Sequence, residues 1–249
     1  MTCLESYSDD MDVREDSGPL RPRQLIRDQV FHRLAEDIIS GRLQPLEDIK
    51  DHELQNEFGI SRTPIREALL KLRDLGLVEM RANSYTRVAP IDFVRQAERT
   101  QTASALISFC AAESAGSYTP EQESRIVSRI DDLLASDIQQ SGMRDGLRMW
   151  YSLYALIVAA TGNRIIVEIL NEHLAIHLTR MVLVTEMPSE RAQLLRQSLL
   201  VMRDAVVRRD GEALRQIIVQ VFDASSIRPL REYAVLQNAT TTSPPGTPR

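Results

Sequence analysis

The chain has 249 residues, 30 Lys and Arg against 35 Asp and Glu, and is 43% hydrophobic but only 5% aromatic. No run approaches the roughly 18 consecutive apolar residues of a membrane helix, and the start MTCLESYSDDMDVRED is acidic where a secretion signal is basic and then apolar; a soluble, cytoplasmic protein is expected. Two cysteines, Cys3 and Cys110, are too few for a disulfide framework, a zinc finger or a CxxC pair, which excludes chemistry built on clustered thiolates.

In chain order, residues 1–20 hold six acids and one base, so the net charge of −5 sits in this polar stretch, which reads as a disordered arm. Residues 21–90 carry twelve bases against eleven acids, and 91–249 carry seventeen arginines against eighteen acids. Neither part is strongly polarised. All the bases are Arg except Lys50 and Lys71, a set suited to bidentate contacts with phosphate and guanine but equally what a biased genome composition produces.

The segment 21–90 alternates apolar periodicity with punctuation. Leu25, Val30, Leu34, Ile38 and Ile39 form a helical stripe that stops before Gly41. A short helix over Asp51–Phe58 is ended by Gly59. A third opens at Thr63-Pro64, a cap followed by proline at the first helical position, and ends at Gly76. Leu77–Arg81 and Tyr85–Ala89 read as two short strands around Ala82-Asn83-Ser84. The order helix, helix, turn, helix, hairpin is that of a winged helix-turn-helix.

Beyond Pro90 only long helices are expected: about Phe93–Ala115, Pro120–Ser136, Met143–Ala160, Arg164–Val184, Ser189–Arg209 and Glu212–Ser225. These six make an all-α antiparallel bundle over 91–232, and 233–249, most clearly from Gln237 on, reads as a flexible tail. The fold class is therefore mainly α with one small β-hairpin.

The segment Gly59–Val78 carries the chemistry. Residues at the N-terminal end of a helix seated in the major groove reach base edges, while first-turn amides and hydroxyls take phosphates. Ser61, Arg62, Thr63 and Arg66 occupy that end, and Ile65, Leu69, Leu72 and Leu75 would face the core behind it. There is no P-loop, nucleophile elbow, HExxH or GxGxxG, so nothing points to an enzyme.

Leu25 to Pro45, Glu53-Leu54, Ser61-Arg-Thr-Pro-Ile-Arg-Glu-Ala-Leu69 and Gly76-Leu-Val-Glu79 resemble the DNA-binding domain of the GntR family of bacterial transcription regulators over about residues 22–90. The helical remainder is similar in layout to the FadR-type ligand-sensing (FCD) domain of one subgroup, through its helix count and the turn Ala160-Thr-Gly-Asn163. The resemblance implies a homodimeric, sequence-specific regulator on a palindromic operator, most often a repressor, with a small-molecule effector in the helical domain. It places Arg62, Thr63 and Arg66 on bases or phosphates and Ser61 on a phosphate. His52 stands where the family offers an Arg, and is either a DNA contact or a solvated surface residue. The family's wing often reads Arg-Pro-Gly-Arg-Gly; here Arg81-Ala-Asn83-Ser-Tyr85 has no glycine, which leaves Arg81 and Asn83 as candidate contacts.

Many FCD domains hold a divalent metal through Asp and His residues. Aligned on Thr161-Gly-Asn163 and Arg209-Asp-Gly-Glu212, those places fall on Trp150, Tyr154, Leu199 and Val221, which cannot form such a site. No metal and no cofactor is expected. An apolar or aromatic pocket at these four residues would favour an apolar effector; alternatively the side chains simply fill space and the domain has lost sensing. A helical interaction module or enzyme with a vestigial head is the remaining alternative. His173 and His177 share a helical face but lack a third ligand, and Cys110 lies in an apolar stretch, as a buried inert thiol would.

Overall fold

The computed structural model describes residues 26–82, 84–136, 143–171 and 188–241. The chain divides into two compact units, whose described parts run to Ile91 and from Asp92 onward.

The first unit comprises α1 (Ile26–Ser40), α2 (Asp51–Phe58), α3 (Arg62–Asp74), β1 (Val78–Arg81) and β2 (Tyr85–Val88). Helix α1 buries Val30, Phe31, Leu34, Ala35, Ile38 and Ile39, which recur at helical spacing, and packs on α3. The matching face of α3 is Ile65, Ala68, Leu69 and Leu72, each fully buried. Burying one such aliphatic side chain is worth roughly 1.5–3 kcal/mol, so this pair of faces contributes substantially to the unit's cohesion, with Leu77, Val78 and Val88 buried beside it. The strands pair antiparallel with Val78 opposite Val88 and Arg81 opposite Tyr85. The backbone ahead of α2 adds a third, short rung: Ile49 N–H donates to Thr86 O at 2.7 Å and Val88 N–H to Glu47 O at 2.9 Å. The wing is thereby tied to the chain entering α2.

The second unit is helical throughout its described residues: α4 (Phe93–Ser114), α5 (Pro120–Ala135), α6 (Met143–Ala159), α7 (Arg164–Ile169), α8 (Ser189–Val207), α9 (Gly211–Phe222) and α10 (Arg228–Thr241). Helix α4 packs against α6, α9 and α10. Its buried face is built from small residues, among them Thr100, Ala103, Ser104, Ser108 and Ala111. Hydroxyls on that face return to the backbone of their own helix, Thr100 Oγ1 to Gln96 O at 2.8 Å and Ser114 Oγ to Cys110 O at 2.7 Å, so their burial leaves those donors satisfied. The main core joins Ile126, Ile130 and Leu133 of α5, Leu153 and Ile157 of α6, Leu199 and Met202 of α8, and Leu214 and Ile218 of α9.

The helix starts follow capping chemistry. Thr119 and Gln122 form a reciprocal capping box on α5, Asn163 Oδ1 accepts from Ile166 N–H, and Asp210 Oδ1 accepts from Ala213 N–H. Arg203 grips Asp131 through two nitrogens and Arg209 grips Glu123, pinning α8 and its exit to α5.

Three expectations change, and a fourth is described only in part. Helix α3 begins at Arg62 with Ser61 in the cap position, so Thr63-Pro64 are its second and third residues; the first four amides of any helix lack internal partners, which tolerates proline there. Leu75 is half-buried where α3 ends, rather than a member of its buried face. The helix expected over Arg164–Val184 starts as expected and is regular α-helix over Arg164–Ile169, while 172–187 lie outside the described residues. Residues 233–241, expected in a flexible tail, are helical: α9 passes through a π-helical stretch, Asp223–Ile227, into α10, which buries Leu230 and Ala234 and stacks Tyr233 on Phe93 at 5.6 Å. Helix α10 is an addition to the six helices expected beyond Pro90.

Candidate nucleic-acid interface

The exposed start of α3 is positioned by a tight turn. Gly59 ends α2 at φ 65° in the left-handed region, where glycine carries no steric penalty, and its N–H closes on Gln55 O at 3.0 Å. Ser61 then adopts extended backbone at the cap of α3 without bonding its own helix through its side chain. Both its hydroxyl and the first-turn amides of α3 are therefore available to an anion. Ser61, Arg62, Thr63 and Arg66 are all exposed, while Ile65, Ala68 and Leu69 are fully buried.

The cations of this unit differ in how they are held. Arg33 and Arg42 pair with Asp37, Lys50 with Glu53, Arg73 with Asp74 and Arg87 with Glu79. Lys71 lies 4.2 Å above the Phe31 ring and reaches Asp28. Arg27 lies between Asp28 and Glu67, and Arg62 donates from Nε to Asp51 Oδ2 at 2.8 Å. Among the described residues of the unit, only Arg66 and Arg81 carry no ion pair. The two free guanidinium groups stand on two elements expected to meet DNA, the start of α3 and the wing.

His52 is exposed on the first turn of α2, next to Asp51 and so beside the start of α3. Arg81 ends β1, and the wing closes with Ser84 N–H donating to Arg81 O at 3.0 Å. Asn83 lies outside the described residues. Tyr85 supports the wing by stacking under the Arg87 guanidinium at 4.3 Å. The pairing of Asp51 with Arg62, eleven residues apart, is invisible to periodicity; the signal available was an acid at the start of one helix and an arginine at the start of the next.

In the helical unit, Trp150, Tyr154, Leu199 and Val221 all enter the same core. Trp150 and Tyr154, one helical turn apart on α6, have ring centroids 5.7 Å apart, and Phe222 of α9 lies 5.1 Å beyond Tyr154. Phe222 extends the aromatic row and was not among the sequence candidates. Burial pushes the Tyr154 hydroxyl far above its ordinary range, so it stays protonated. Trp150 Nε1 is buried without a hydrogen-bond partner among the described residues. Burial pushes the Cys110 thiol up too, against a smaller opposing hydrogen bond with Thr161, which keeps it a thiol. Among the described residues no group of three His, Cys, Asp or Glu side chains could hold a metal ion, and His173 and His177 lie outside them. No described helix is long and apolar enough to cross a membrane.

Residues 26–88 match the sequence model of a family described as "Bacterial regulatory proteins, gntR family". The HTH-type transcriptional repressor RspR of Escherichia coli K12 is 31% identical over 86 residues, a match covering 31% of this chain and 38% of that protein. The HTH-type transcriptional regulator BphR of Paraburkholderia xenovorans is 25% identical over 222 residues, covering 86% of this chain and 89% of that one. In fold, Escherichia coli McbR/YncC superposes with a TM-score of 0.62 at 19% identity, over 87% of this chain and 99% of that structure. Residues 26–88 are thus similar to the gntR-family helix-turn-helix domain, and the match spans well under half the length of a relative such as RspR.

Proposed function

We propose that the chain is an operator-binding repressor that acts as a homodimer, reads a palindromic site with two copies of α3, and adjusts its DNA affinity to a small apolar metabolite held in an FCD-like helical domain. The observation that carries the DNA-reading part is the exposed start of α3, where Arg66 stands without an ion pair between the free Ser61 hydroxyl and the buried face that fixes the helix. A two-fold dimer would present two such helices to half-sites related by the same symmetry. Repression is supported by the relative named as a repressor.

The effector part rests on the row Trp150, Tyr154 and Phe222, beside Leu199 and Val221, with the buried Trp150 N–H lacking a described partner. An apolar effector with one hydrogen-bond acceptor would fit that chemistry, and its coupling to DNA would be reciprocal. The close packing of the same residues favours a second reading, a regulator without an effector. Thermal-shift screening of apolar carboxylates and aromatic compounds separates the two: stabilisation abolished by Tyr154→Ala supports sensing, and a flat profile supports its loss.

DNA reading is tested with Arg66→Ala in a gel-shift titration on DNA selected from a random library by the unmodified protein. Loss of a base-reading arginine should weaken binding by about 1–3 kcal/mol and relax the preference at one position of each half-site. Unchanged affinity and preference would remove Arg66 from the interface.

A further inference from the structure

We infer that Asp51 is a specificity-determining positioning residue: it holds Arg62 through Nε, so that the guanidinium offers its terminal Nη1/Nη2 edge to a guanine instead of roaming over phosphates. The inference rests on the proposed DNA-reading role. Asp51 is the first residue of α2 and Arg62 the first of α3, and the turn at Gly59 brings the two starts together. Arg62 Nε donates to Asp51 Oδ2 at 2.8 Å. The carboxylate is recessed, its side chain 18% exposed, while the Arg62 side chain is 61% exposed and reaches outward past it.

A guanidinium has five donors in one rigid plane. With Nε used by a recessed carboxylate, the outward edge is the pair of terminal nitrogens, whose parallel N–H groups match guanine O6 and N7. Holding the plane also reduces the rotamer freedom that Arg62 would otherwise lose on reaching a base. The same pairing offsets the charge of Arg62 and leaves a carboxylate beside the DNA-facing surface, which lowers its value as a general phosphate ligand. Asp51 should therefore lower affinity for arbitrary DNA and raise discrimination. A first-turn acid acting only through the dipole of α2 would support the fold and leave that ratio untouched. Arg66, one helical turn further along α3 and without an ion pair, has no such device, so the two arginines divide the work: Arg62 reads from a fixed plane, Arg66 adapts.

The test uses the full chain and DNA selected from a random library by the unmodified protein, with a scrambled duplex as competitor. Dissociation constants are measured across salt for Asp51→Ala, Asp51→Glu, Arg62→Ala and the double variant Asp51→Ala/Arg62→Ala, each first shown by thermal unfolding to be folded. For Asp51→Ala the expected result is tighter binding to scrambled DNA, with a salt slope steeper by about one, and a selected-to-scrambled ratio lower by about tenfold. Asp51→Glu, which keeps the carboxylate, should retain most of the ratio. In the Arg62→Ala background, removal of Asp51 should change the ratio no further. An unchanged ratio in Asp51→Ala, or an equal fall with Arg62 already removed, overturns the positioning role. Failure of the unmodified protein to select any sequence is a different outcome and refutes the DNA-reading proposal itself.

Discussion

Gly211→Ala should destabilise the helical unit although it replaces the poorest ordinary helix former with the best. Gly211 is the first residue of α9, immediately after the cap Asp210. A Cβ at this position would stand 2.5 Å from Ala112 O and 3.1 Å from the Ala112 carbonyl carbon and Cα. All three atoms are backbone of α4, so no side chain can swing aside and one helix must shift against the other. Helix propensity alone favours alanine by about 0.5–1 kcal/mol. Overpacking in a tight core costs typically about 1–3 kcal/mol, and a backbone obstacle belongs at the upper end. The net expectation is a loss of about 2 kcal/mol, read as a lower urea midpoint for the helical signal by circular dichroism. Gly116→Ala is the matched control, because nothing lies within 4 Å of its Cβ position, and should stay within about 0.5 kcal/mol of the unmodified chain. A Gly211→Ala chain that unfolds at or above the unmodified midpoint would refute the close approach of α9 to α4.

Two further outcomes are expected. Leu69→Ala removes a fully buried side chain from the α1–α3 contact and should cost about 2–5 kcal/mol; amide exchange protection should fall over 26–91 and persist in α4 and α5, and protection retained in α3 would contradict its place in that core. Hydrogen bonds from Arg215 and then Gln216 hold the exposed Glu212 carboxyl down at about 2, so its stabilising contribution is complete above its ordinary 4.5 and is lost as pH falls from there towards about 2. A carboxyl NMR titration reads that value directly, and a Glu212 midpoint near 4.5 would show that the contact with Arg215 does not persist in solution.

The helix-turn-helix was legible because its signals are local. Apolar spacing marked the buried faces of α1 and α3, Gly59 marked the end of α2, and the two strand stretches around Ala82-Asn83-Ser84 marked the wing. The start of α3 was misplaced by two residues because a hydroxyl followed by proline is a legitimate helix start, and Ser61 and Thr63 both offer the hydroxyl. Helix α10 was missed for a different reason. Its polar residues and the Thr-rich stretch at its end resemble a tail, while the apolar residues it buries, Leu230 and Ala234 among them, have meaning only against the surface they cover.

What the sequence determined by itself was the order of elements, the mainly helical class and the set of exposed residues at the start of the recognition helix, since each follows from periodicity and punctuation over a few residues. Tertiary structure decided which of those residues are free. Arg62 and Arg66 are equivalent in the sequence, but the turn at Gly59 sets Asp51 against Arg62 and leaves Arg66 without an ion pair. Tertiary structure also decided that Gly211 meets the backbone of Ala112, about a hundred residues away in the chain, and that Phe222 completes the row begun by Trp150 and Tyr154. Ion pairing and close packing depend on distances between segments remote in the chain, and such distances exist only once the helices have packed.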